Sequence, residues 1–311
     1  MAARTADERS LRVPGARIHH EVRGSGPLLL LIPGGPQDAG VLADLGRCLA
    51  DRYTTVAYDP RGNSRSVLDT APENPAHENP AAEDQAPENQ GDQRLDVHAD
   101  DAARFIRALG GGPAHVFGTS GGAQIALALA ARSPELVRTV VAHEPPCVML
   151  LDDPSEALAR DREVHETYLR EGVEAGMALF FGVAGMDGPD EGSPESDGPG
   201  AGPGEDDAPP ETSEEDAATF ERVGGNFAYF LAHGLLPLSL YRPDTAALRR
   251  NGTRARVALG EGSADQDIHA MGSALARELG IDPVAFPGDH LGYEAAPEAF
   301  TAALRRVLAE G

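Results

Sequence analysis

Lysine and tryptophan are missing from the 311 residues, and cysteine occurs only twice, at Cys48 and Cys147. Without lysine there is no P-loop lysine, no Schiff-base lysine and no anchor for pyridoxal phosphate. Two cysteines build neither a disulfide framework nor a Cys-rich metal site. Both are expected to be small buried residues rather than a redox pair. Long apolar runs are missing too: the longest, Leu28 to Pro33, is far too short to span a bilayer. Residues 1–17 carry four arginines and no apolar h-region, so no secretory signal is expected and the cytoplasm is the expected compartment. Positive charge is scarce. All 26 basic residues are arginine, against 50 acids, a formal net charge of −24. Phosphate binding needs clustered cations, so nucleic acid is excluded as a partner, and an anionic membrane surface is disfavoured on the same ground.

The acids are unevenly placed. Residues 69–93 hold seven of them and residues 186–216 hold twelve, with no arginine in either stretch. Removing these 19 from 50 leaves 31 acids against 26 arginines, a net of −5. Both stretches are rich in Pro, Gly and acid and poor in bulky apolar residues. They bury too little surface to offset the entropy of ordering and are expected to be flexible surface insertions.

Elsewhere strands and helices alternate. Apolar or alternating runs at 16–22, 27–32, 54–58, 114–117, 137–143, 256–259 and 283–286 predict strands. Helical spacing marks 42–51, 97–109, 123–132, 271–279 and 297–308. Strands separated by helices imply a mostly parallel sheet with helices on both faces. Residues 145–250 interrupt the alternation with a mainly helical pattern. The expected organisation is therefore a sheet domain over 1–144 and 251–311 with an inserted helical cap over 145–250.

The chemistry is expected at one turn. Gly118-Thr119-Ser120-Gly121-Gly122 follows the strand at 114–117 and opens the helix at 123–132. A G-x-S-x-G run between strand and helix places the serine on a sharp turn, where flanking glycines remove the side chains that would clash. The helix N-terminus then aims N–H groups at a developing oxyanion.

With this motif the chain resembles the α/β-hydrolase superfamily over nearly its whole length. Three further segments carry the resemblance. Pro33-Gly34-Gly35-Pro36 is similar to the family's HGGP-like oxyanion turn, with Pro33 in place of the usual histidine. Asp59-Pro60-Arg61-Gly62-Asn63-Ser64 resembles its D-x-R-G turn. Phe286-Pro287-Gly288-Asp289-His290 resembles the late turn that supplies the catalytic histidine. The resemblance implies the α/β-hydrolase fold, Ser120 as nucleophile and His290 as its base. The oxyanion donors it implies are the backbone N–H groups of Gly35 and Gly121, since Pro36 has none to give. Asp59 and Arg61 are expected to hold their turn rather than to react.

Two positions are open to the triad acid. The common family slot, after the penultimate strand, reads Gly260-Glu261-Gly262-Ser263, with Asp265 and Asp267 slightly later. Glu144, at the end of the strand after the elbow helix, resembles the acid site of haloalkane dehalogenases and some lactone hydrolases. Glu144 is the favoured acid and Asp265 the alternative.

A serine nucleophile implies acyl transfer through an acyl-serine, hence hydrolysis of a carboxylic ester or lactone, with no metal or organic cofactor. The partner implied is a small-molecule ester or lactone with an apolar body. Met177, Leu179, Phe180, Phe181, Phe227, Tyr229, Phe230, Leu235 and Leu236 are apolar cap residues suited to a pocket, with Phe180, Phe181, Phe227 and Tyr229 put first. The alternatives on the same fold are an amidase similar to proline iminopeptidases, a C–C hydrolase, an acyltransferase or a non-catalytic ligand-binding member.

Overall fold

A computed structural model describes residues 7–70, 93–110, 112–184 and 213–309. The run Leu28–Ile32 is apolar and buried at every position. Side chains alternate across a strand, so such a run needs apolar cover on both faces. That cover is present. Leu28, Leu30 and Ile32 join a cluster with Phe105, Ile106 and Ala126, whereas Leu29 and Leu31 join another with Leu45, Leu49 and Leu304.

The strands are β1 (Asp7–Val13), β2 (Ala16–Gly24), β3 (Leu28–Ile32), β4 (Thr54–Tyr58), β5 (Val67–Leu68), β6 (Ala114–Thr119), β7 (Val137–His143), β8 (Arg254–Gly260) and β9 (Val284–Phe286). They form one sheet in the order β1-β2-β4-β3-β6-β7-β8-β9, with β5 paired to β2. The pairs from β4 through β9 are parallel; β2 is antiparallel to β1, β4 and β5. Helices α1 (Ala43–Leu49) and α11 (Pro297–Ala309) cover one face. Helices α2 (Leu95–Leu109), α3 (Gly121–Arg132), α8 (Thr245–Arg250) and α9 (Asp267–Leu279) cover the other. A short helix, α10 (Gly292–Ala295), leads into α11. The expected parallel sheet with helices on both faces is therefore present. β1 was not expected from the sequence: DERSLRV is dominated by charge, and its pairing is supplied by the register Asp7↔Val22 to Val13↔Ala16 at the sheet edge.

Between β7 and β8 lie α4 (Ser155–Glu171), α5 (Val173–Ala184), α6 (Glu214–His233) and α7 (Leu235–Ser239), packed on one another. α8, also in this stretch, packs instead on α3 and α9. The acidic stretch at 186–216 ends differently from expectation. Ser213 caps α6 by accepting from Asp216 N–H at 3.1 Å, and Glu214, Glu215 and Asp216 form its first turn. Acids there complement the helix dipole, so these residues form the start of α6. Residues 71–92 and 185–212, which hold the rest of the two acidic stretches, lie outside the described residues. No helix among the described residues is long and apolar enough to cross a membrane.

Candidate active site

The strand order creates a crevice. β3 has β4 on one side and β6 on the other, and the helices that follow β3 and β6, α1 and α3, lie on opposite faces. Connections that diverge in this way leave a cleft at the carboxyl ends of the two strands. The loop after β3 carries Gly34 and Gly35, and the turn after β6 carries Ser120.

Ser120 has φ 52° and ψ −126°, a region that non-glycine residues avoid at a cost of about 1–3 kcal/mol. The surroundings enforce it. Its N–H donates to His143 O at 2.9 Å, tying the turn to the end of β7. A β-carbon on Gly122 would stand 2.3 Å from the backbone oxygens of Ile32 and Pro33, and one on Gly118 would stand 2.3 Å from Gly122 O. Only glycine lets the elbow seat so close to β3. A β-carbon on Gly121 would lie 3.3 Å from Gly35 N, so the two glycines lie close together beside the serine turn. Among the described residues nothing accepts a hydrogen bond from either.

Glu144 follows β7 and is buried, with φ 43°. Its N–H donates to Ala258 O at 2.9 Å, its Oε1 accepts from Gly260 N–H at 2.8 Å, and its Oε2 lies 2.8 Å from His290 Nδ1. Burial pushes the carboxyl upward, but the His290 hydrogen bond, the adjacent His290 imidazole and the Gly260 N–H outweigh it and hold the group below the usual glutamate range. It is thus an ionised partner for Nδ1, which leaves Nε2 of His290 for another group. The His290 loop is fixed separately: Gly262 N–H donates to Gly288 O at 2.8 Å. Asp265 is exposed at the cavity mouth, and the structure pairs His290 with Glu144 instead. Ser263, in the common acid slot, is fully buried. His143, buried beneath the site, stacks on His290 with centroids 6.2 Å apart and accepts or donates at Nδ1 to Thr119 Oγ1 at 2.9 Å. Burial pushes its pKa down to about 3, so this ring is neutral.

The turn after β4 braces the turn after β3. Asp59 is buried and accepts from Ala39 N–H at 3.0 Å and from Arg65 through both carboxylate oxygens, at 2.9 Å each. Arg61 pairs with both oxygens of Asp101 at 2.8 Å. Asn63 Nδ2 donates to Gly35 O at 3.2 Å and to Gln37 O at 3.0 Å. Asp59 and Asn63 thus hold the loop after β3, whereas Arg61 ties the turn after β4 to α2; the part played by Asn63 was not expected.

Ser120, Gly34, Gly35, Gly121 and His290 line a cavity of about 1290 Å³ whose other lining residues come both from α4 to α7 and from the sheet domain, among them Val41, Ile268 and Met271. Of the expected pocket residues, Met177, Phe180, Phe181, Phe227, Phe230 and Leu235 line it; Leu179, Leu236 and Tyr229 do not. Tyr229 is the instructive case. It lies two positions from Phe227, and residues i and i+2 project from different sides of a helix. Its ring sits against Gly62 and the imidazole of His233. Leu238, which was not expected, lines the cavity beside Gly121. Of the cysteines, Cys147 is buried and Cys48 half-buried, and both are free.

Comparison with known proteins agrees with this architecture. The sequence profile of the alpha/beta hydrolase fold family matches residues 27–189. A Bacillus subtilis (strain 168) protein named "Uncharacterized hydrolase YraK" is 30% identical over 98% of this chain and 97% of its own length. The 2-(acetamidomethylene)succinate hydrolase of Mesorhizobium japonicum is 38% identical over 46% of this chain and 45% of its own. Among solved structures, a thermophilic esterase from Thermogutta terrifontis superposes with a TM-score of 0.67 at 19% identity, covering 99% of each chain.

Proposed function

The chain belongs to the alpha/beta hydrolase family, and on that premise we propose that it is a serine hydrolase of a carboxylic ester or lactone with an apolar body. The observation that carries this reading is the constellation at the crevice: a strained Ser120, a His290 whose Nδ1 is held by the ionised Glu144, and two unengaged N–H groups beside the serine.

In this reading Ser120 Oγ attacks the substrate carbonyl carbon while His290 Nε2 takes its proton. Glu144 stabilises the imidazolium through Nδ1–H. The carbonyl oxygen gathers negative charge against the N–H groups of Gly35 and Gly121. Collapse expels the alcohol, which receives the proton from Nε2 and leaves an acyl-serine. Water then repeats the sequence: His290 takes its proton, the oxygen adds to the acyl carbon, and Ser120 departs reprotonated.

The cavity supports an apolar, non-anionic substrate. Four phenylalanines, Phe180, Phe181, Phe227 and Phe230, line its walls. The two arginines among its described lining residues are already engaged: Arg47 with Asp44 and Glu215, Arg160 with Glu156 and Asp267. A dicarboxylate such as that in the name of the Mesorhizobium japonicum relative would meet no free arginine among these residues.

The test is turnover of p-nitrophenyl butyrate together with labelling by a fluorophosphonate probe. Ser120→Ala is expected to abolish labelling and to lower kcat by roughly 10⁴-fold or more. A folded Ser120→Ala protein that keeps wild-type turnover would refute the assignment.

A further inference from the structure

Helix α6 of the cap runs along the very turn that carries Gly35. Thr219, Arg222, Asn226 and Phe230 are spaced by three and four residues and so share one face of the helix. They meet residues 35–40 in reverse order. A β-carbon on Gly35 would stand 3.2 Å from Phe230 Cε2. Asn226 Nδ2 donates to Pro36 O at 2.7 Å. Arg222 Nε donates to Asp38 Oδ2 at 2.6 Å. A β-carbon on Gly40 would stand 2.4 Å from Thr219 Oγ1.

Asn226 is the centre of this stripe. It is buried, and its amide is used from both ends: Nδ2 also donates to Ser64 Oγ at 2.9 Å, and Oδ1 accepts from Ser64 N–H at 2.7 Å. One cap side chain thus ties the turn after β3 to the turn after β4. From the other side Asn63 holds the Gly35 carbonyl. The Gly35 N–H shares its peptide plane with Gly34 O, which accepts from Gln37 N–H at 2.9 Å, and Asn63 and Asn226 hold the next two carbonyls of the same turn.

We propose that Asn226 is a positioning residue of the oxyanion hole, through which the cap helix sets the aim of the Gly35 N–H at Ser120. The inference rests on the serine-hydrolase reading above. A hydrogen-bond donor stabilises a transition state only while it is held within about 0.5 Å of its working place. Removing one such donor outright lowers kcat about 10²–10³-fold. Releasing the turn that aims it should remove part of that effect and leave ground-state binding in the phenylalanine-lined walls intact.

Asn226→Asp preserves shape and the acceptor for Ser64 N–H but loses the donor to Pro36 O. Asn226→Ala loses both. Each is expected to lower kcat on p-nitrophenyl butyrate roughly 10–100-fold with KM within about threefold, and to slow fluorophosphonate labelling of Ser120 by a similar factor. Arg222→Gln loosens the same stripe at a more exposed point and is expected to move kcat in the same direction by a smaller factor. It decides the matter if the Asn226 variants do not fold. A folded Asn226 variant with kcat within twofold of wild type, or a loss confined to KM, overturns the inference, as does an unchanged kcat in Arg222→Gln when that variant is the only one folded. If wild type turns over the ester and takes the probe while the variants behave like it, only this inference falls. If wild type does neither, the serine-hydrolase reading falls and takes the inference with it.

Discussion

Ser120 and Glu144 are two of the three non-glycine residues with positive φ among the described residues, the third being Ser64 in the bracing turn. Backbone strain of this kind persists only where surrounding contacts over-determine it, and here each strained residue is pinned by a neighbouring strand or by the cap. Glu144 gains from its strain: the kink after β7 turns the carboxylate toward both Gly260 N–H and His290. Its neutral isostere would keep the shape but lose the charge that favours the imidazolium. Glu144→Gln is therefore expected to lower kcat roughly 10²–10⁴-fold, with Asp265→Asn within twofold of wild type, both measured as steady-state ester hydrolysis. Equal losses in the two variants would refute the pairing of roles. Tyr229 shows the limit of composition at this scale. An aromatic in a cap helix is easy to find, but its azimuth decides whether it faces the cavity.

Among the elements, β2 carries a buried charge network. Glu21 lies 2.8 Å from Arg23 and 3.0 Å from Arg65, and Arg65 in turn binds Asp59. Burial pushes the Glu21 pKa upward, but the His19 hydrogen bond and the two arginines prevail and bring it down from 4.5 to about 2. A folded-state pKa below the unfolded one means that the ionised group stabilises the fold above the unfolded value, and that this stability is lost as pH falls through the folded value. Glu21→Gln should lower the urea midpoint at pH 7, and the gap from wild type should close as pH falls from about 5 toward 2. A gap that is constant with pH would show that the loss is one of packing. This network was invisible in the sequence, because its members sit at positions 21, 23, 59 and 65 and meet only through the antiparallel pairing of β2 with β4. The elbow is the opposite case: strand, G-x-S-x-G and helix are contiguous in the chain, so the local sequence carried it whole.

At the scale of the molecule, the sheet and the cap share one core. Leu30, Ile32 and Ala126 of the sheet domain lie in the same apolar cluster as Val164, Phe230, Leu231 and Leu238 of the cap. The stripe along α6 adds polar ties to the same boundary. A cap joined to the core in this way is expected to unfold with it. Tryptophan is absent, so the measurement is urea unfolding followed by far-UV circular dichroism and by near-UV tyrosine signal. Tyr168 reports from the cap, and Tyr58 and Tyr293 from the core. The two curves should coincide as a single transition, and separated midpoints would show an independently unfolding cap.

What the sequence determined by itself is local and periodic. The alternation of strands and helices, the apolar β3, the serine elbow, the glycine turn and the late histidine each lie within a few contiguous residues, and hydrophobic period or turn chemistry marks them directly. The tertiary structure decided the long-range choices. It set Glu144, and not Asp265, against His290, because β7 ends against β8 and the His290 loop. It turned Phe227 and Phe230 toward the cavity and Tyr229 away, because one face of α6 lies on the core. It brought Asn226 against the Pro36 carbonyl, across a separation of 190 residues. The physical reason is the same in each case: these contacts are set by how twisted strands and packed helices bring distant residues together, and no local pattern encodes that distance.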